Sequence, residues 1–106
     1  MKNTGLKYLF TFVTVAALSA IPALAQDAKS VYEDKCATCH GTDGAGKTAM
    51  GKKQKVADVH VAAKSMTADQ MIKVVTEGKG NMDGFGKELS KDQIKTVVEY
   101  YRGLAK

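Results

Sequence analysis

The chain has 106 residues, one proline, no tryptophan and two cysteines, with 16 basic against 11 acidic side chains for a net charge of +5. That length holds one small domain, and so modest a basic excess is no support for nucleic-acid binding. No nucleophile–base pair and no paired carboxylates stand out as a catalytic centre.

The amino-terminal segment reads as an export signal. Lys2 and Lys7 make a basic start, an apolar run follows from Tyr8 to about Ala20, and Pro22 with Ala23-Leu24-Ala25 closes it on a small-x-small pattern. A cut after Ala25 would remove residues 1–25 and leave 26–106 as the working domain, placed in the periplasm. The apolar run is short for a membrane span of about 20 residues and Pro22 interrupts it, which argues against an anchor and against stable membrane insertion after cleavage. Without Lys2 and Lys7 the remaining 81 residues carry 14 basic and 11 acidic side chains, a net of +3. So short a chain is marginal unless a staple, metal or cofactor supplements its core.

A first helix is expected from about Asp27 to Cys39, with Ala28, Val31, Tyr32 and Cys36 spaced for one face. It leads into Cys36-Ala37-Thr38-Cys39-His40, which holds both cysteines and one of the two histidines. Two thiols separated by two residues and followed directly by an imidazole are the arrangement that attaches haem c covalently. Each thiol can add to one haem vinyl group, and the adjacent histidine is then held where a ring nitrogen reaches the iron. Three other uses of the pair weigh less. A disulfide across two residues would constrain little of the unfolded chain. A thioredoxin-like redox motif needs strands alternating with helices, and only a short ambiguous run near Val59–Val61 is available. A zinc site would need His60 as fourth ligand, at a spacing that fits no zinc pattern.

Gly41 to Lys55 is polar and rich in Gly and Lys, a long loop able to wrap one edge of a porphyrin. Val56 to Ala63 is ambiguous between a helical turn and extended chain. A second helix is expected from Thr67 to Glu77, with Thr67 and Gln70 as a capping box and Gly78 as its end. A third runs from Ser90 to Leu104, with Ser90 and Gln93 as a capping box and Ile94, Val97, Val98, Tyr101 and Leu104 as its core stripe. Between these two helices, Gly78 to Gly86 contains four glycines and one methionine. A helix is excluded there, and Met82 has no stripe to belong to. Its thioether is a soft neutral ligand suited to haem iron opposite a histidine. Met50 and His60 are the other candidates for a sixth ligand, while Met66 and Met71 sit where core packing is the ordinary explanation. An open sixth position would instead make the site a haem enzyme or a gas or redox sensor.

In this order the attachment motif, methionine loop and last helix resemble the class I monohaem c-type cytochromes, in particular the short bacterial ones. Val31 to Gly41 is similar to the family's first helix and attachment segment, Gly80 to Gly86 to its axial-methionine loop, and Leu89 to Ile94 to the start of its last helix. The resemblance implies a small all-α, cytochrome c-like domain wrapped around one covalently attached haem, with Cys36 and Cys39 as attachment points and His40 and Met82 as iron ligands. It implies an electron carrier rather than an enzyme, cycling Fe(III)/Fe(II) with redox partner proteins. It also places Tyr100 across the first helix, near Tyr32. Two departures stand out. Asp83 occupies the position after the methionine where the family has proline, so a looser loop and a lower potential are expected. No proline lies between Gly41 and Lys55, so the usual carbonyl partner of the ligand histidine has no counterpart. Lys47, Lys52, Lys53, Lys55, Lys79 and Lys87 either steer docking to an acidic patch on a reductase or oxidase or form an ordinary solvated surface. Nothing in the sequence points to an obligate interface, and a monomer is expected.

Overall fold

The computed structural model describes residues 22–106, with side chains from Asp27 onward. The expected signal segment up to residue 21 lies outside the described residues, and the expected cut falls where only the backbone is described. Six helices make up the described chain: α1 Pro22–Lys35, α2 Ala37–His40, α3 Ala49–Lys53, α4 Val59–Ser65, α5 Ala68–Glu77 and α6 Lys91–Gly103. No strand occurs among the described residues, only an isolated bridge between Lys79 and Met82. The domain is all-α, as expected.

The first expected helix is two helices. Cys36 has φ −116° and ψ −35°, well off the regular helical φ of about −63°. The chain bends there although the Cys36 N–H still donates to the Tyr32 carbonyl at 2.9 Å. α2 then makes a single turn and stops at Gly41, whose φ of +82° is open to glycine.

The caps of α5 and α6 are those the sequence predicts. Thr67 and Gln70 satisfy each other's backbone N–H groups at 2.8 and 3.2 Å. Ser90 and Gln93 do so at 2.9 and 3.1 Å. The ambiguous run becomes helical only from Val59. Asp58 supplies the cap, its carboxylate accepting from the His60 N–H at 2.9 Å. The loop after the attachment motif contains α3, which the sequence did not suggest.

α1 and α6 cross, and α5 and α4 also pack on α6. The crossing is aromatic: Tyr32 lies 5.3 Å from Tyr100 and 6.2 Å from Tyr101 between ring centroids. Ile94, Val97 and Val98 of α6, Met71 of α5 and Val59 of α4 are buried with Tyr32. Lys35 reaches Glu88 at 3.4 Å, an exposed tie of small energetic weight.

Candidate haem site

Above this core the helices leave an apolar cleft of about 190 Å3, open to solvent. α6 contributes Val97, Val98 and Tyr101 to its walls, and α5 contributes Met71, Val74 and Val75. Cys36 and His40 line it from the bend between α1 and α2, and Met82 lines it from the loop after α5. Cys39 is half-buried on α2 and is not among the lining residues. Met66 lines the cleft as well, so two of the methionines assigned to packing border the same space. Met50 and His60 do not. Met50 is 40% exposed, and the exposed His60 ring bonds to the Asp58 carboxylate at 2.8 Å.

The attachment motif is held through its carbonyls. A helix end leaves carbonyl groups without intrahelical partners, and each must find one elsewhere. The Thr48 hydroxyl donates to the Thr38 carbonyl at 2.7 Å, with the Cys39 carbonyl at 3.2 Å, while it accepts from the Gly51 N–H. The His40 carbonyl accepts from the Gly46 N–H at 2.8 Å. The Gly41 carbonyl accepts from the Gly44 N–H at 3.1 Å and from the buried Tyr32 hydroxyl at 2.6 Å. Tyr32 and Thr48 therefore fix the motif's backbone. Thr48 gave no signal in the sequence, and Tyr32 read as part of a helix face and as the neighbour of Tyr100, not as a partner of the Gly41 carbonyl.

The side chains of the motif are set by burial. His40 Nδ1 is fully enclosed and has no hydrogen-bond partner among the described residues. Burial pushes the His40 pKa down and so holds the imidazole neutral, the form that coordinates a metal. Burial pushes the Cys36 thiol up to about 11, against a smaller opposing effect of Lys35. Redox-active and zinc-binding cysteines act as thiolates, whereas burial holds the Cys36 thiol protonated in spite of Lys35. Among the described residues no group of three or more His, Cys, Asp or Glu side chains is placed to hold a metal ion. The disposition suits a flat apolar macrocycle that takes one imidazole and a thioether sulfur better than it suits zinc or thiol exchange.

The Met82 loop is built on close backbone contact. Lys79 and Met82 exchange both of their backbone hydrogen bonds, at 2.9 and 3.0 Å. The Phe85 and Gly86 N–H groups donate to the Val75 and Thr76 carbonyls near the end of α5, at 2.7 and 3.1 Å. A Cβ on Gly84 would stand 2.6 Å from the Glu77 carbonyl carbon, and one on Gly78 would stand 2.8 Å from the Met82 carbonyl oxygen. Glycine lets the loop lie directly on α5, a source of stiffness independent of the missing proline.

Residues 23–100 match the family described as cytochrome c oxidase, cbb3-type, subunit III. The chain is also 38% identical over 104 residues to cytochrome c6 of Rippkaea orientalis, covering 94% of this chain and 91% of that protein. The chain belongs to the class I monohaem cytochromes c. The FixPc subunit of a cbb3-type oxidase from Rhizobium leguminosarum is 33% identical over 84 residues, and the cytochrome spans 29% of its length. Among solved structures, the KustC0563 c-type cytochrome superposes with a TM-score of 0.69 at 26% identity, over 74% of this cytochrome and 98% of that chain.

Proposed function

We propose that this cytochrome is a periplasmic carrier of single electrons, exported by residues 1–25 and working through one haem c ligated by His40 and Met82. The observation that carries the reading is that Cys36, His40 and Met82, more than forty residues apart at their extremes, border one apolar cleft. When bound there, haem supplies a one-electron Fe(III)/Fe(II) couple.

The residues divide the remaining work. Cys36 and Cys39 would hold the group covalently, each thiol adding its S–H across one vinyl group so that a C–S bond forms, the hydrogen goes to the neighbouring carbon and no electrons are gained or lost. His40, kept neutral by burial, would offer a ring nitrogen to the iron. Met82 would offer its thioether sulfur, a soft neutral donor that favours the reduced state. With an imidazole and a thioether both supplied by the protein, no coordination site would be left for a substrate, which argues for carrying electrons rather than for an enzyme. Val74, Val75, Val97 and Val98 exclude water from the cleft walls.

Docking to partners follows from charge. Lys47, Lys52, Lys53, Lys55, Lys79 and Lys87 are all exposed. None of the six is in an ion pair among the described residues. They support steering toward an acidic surface on a reductase or oxidase. A transient monomeric carrier needs no larger interface.

The test is the protein matured in a periplasm. Haem that stays with the denatured polypeptide and a reversible redox titration with a one-electron slope are expected. Haem lost on denaturation overturns the attachment. Rapid carbon monoxide binding to the reduced protein overturns the closed coordination sphere and favours an enzyme or sensor.

A further inference from the structure

His40, as an iron ligand, would lack among the described residues the support such a ligand normally has. A metal-bound histidine usually donates its second ring N–H to a carbonyl, carboxylate or water, and this bond fixes the plane of the ring. His40 Nδ1 has no protein hydrogen-bond partner among the described residues although it is fully enclosed. What touches the ring instead is Tyr101, whose centroid lies 5.3 Å away with the two planes 70° apart. That is the edge-to-face arrangement aromatic pairs prefer, and it resists rotation of either ring.

Tyr101 is itself held. Its ring stacks against Tyr32 at 6.2 Å and 29°, and the Tyr32 hydroxyl bonds to the Gly41 carbonyl, one residue beyond His40. Tyr32 thus braces both the backbone next to His40 and the ring packed on His40. Tyr101 also lines the cleft, so its position is coupled to the space His40 faces.

We infer that Tyr101 is a positioning residue for His40, its ring setting by packing the imidazole plane that an unbonded Nδ1 leaves free. The inference rests on the reading of His40 as an iron ligand. The aromatic face does this work, and the Tyr101 hydroxyl is dispensable.

The test uses the ferric haem-loaded protein with Tyr101→Phe, Tyr101→Leu and Tyr101→Met. The readouts are the spread and order of the haem methyl shifts in paramagnetic NMR and the g-anisotropy in electron paramagnetic resonance. Both follow the axial ligand planes and do not follow stability. Phe is expected to reproduce wild type. Leu and Met are expected to reorder the methyl shifts and change the g-anisotropy while the haem stays low-spin. Met fills a volume close to that of the ring and serves if Leu does not fold. Wild-type spectra in the folded Leu or Met variant overturn the inference, and so does a Phe variant that behaves like Leu. A wild-type protein without a histidine-ligated low-spin signal defeats the ligand assignment itself, a separate result.

Discussion

Tyr32 carries more of the site than its place on a helix face suggests. Its hydroxyl is buried and bonds at 2.6 Å to the Gly41 carbonyl, and burial pushes its pKa far above the ordinary tyrosine range, so it stays a donor. Tyr32→Phe removes that donor, and the expected loss is about 1–2 kcal/mol, read as a lower denaturant midpoint at unchanged slope. Gly84 is the second such residue. Gly84→Ala forces a methyl group to within 2.6–2.8 Å of the Thr76 and Glu77 backbone. Overpacking of this kind costs about 1–3 kcal/mol. Because the strain falls on the Met82 loop, added imidazole is expected to displace Met82 at lower concentration than in wild type, which an optical titration measures. That Cys36 and His40 border the cleft was legible in the sequence because they fall within five residues of one motif, and that Met82 does because a lone methionine among glycines has no helix stripe to join. Thr48 and the His40–Tyr101 pair were not, since a hydroxyl ten residues from its acceptor and two rings from different helices meet only after folding.

The helices depend on their caps to different degrees. α5 and α6 each begin with a reciprocal pair, and Thr67→Ala or Ser90→Ala is expected to cost about 1 kcal/mol, visible in the thermal unfolding midpoint. α4 is capped by a charge. The Asp58 carboxyl is held below the usual carboxylate range, chiefly by the bond from the His60 N–H and then by the His60 ring. A depressed carboxylate stabilises the folded state above its ordinary titration range, and that contribution is lost as pH falls through the folded value. α4 should therefore loosen below about pH 4. Asp58→Asn keeps a capping oxygen and should flatten this acid limb in a pH series of unfolding midpoints. Both capping boxes were readable because the partners sit three residues apart. The break at Cys36 was not, because it reflects the fold-back that brings Tyr32 onto Gly41. α3 was missed because Ala49–Lys53 has no apolar stripe and its cap, Thr48, is fixed by the Thr38 and Cys39 carbonyls.

At the scale of the molecule, the helices wall a cleft rather than close a core. The all-α class was legible from three amphipathic stretches and the lack of alternating strands, whereas the crossing of α1 over α6 came from a resemblance and not from spacing. Val97 and Val98 line the cleft while counting among the few buried apolar residues, so a haem bound there would share the protein's core. A Cys36→Ser, Cys39→Ser variant that retains no haem is expected to lose most of its helical circular dichroism, since so small a domain buries little surface alone. The lysine surface predicts a reaction rate with an acidic redox partner that falls as ionic strength rises. The central claim is a coordination sphere closed by His40 and Met82, and the near-infrared spectrum of the ferric protein tests it most directly. A weak sulfur-to-iron band in wild type that disappears in Met82→Ala is the predicted result. A ferric spectrum without that band, unchanged by Met82→Ala, would contradict it.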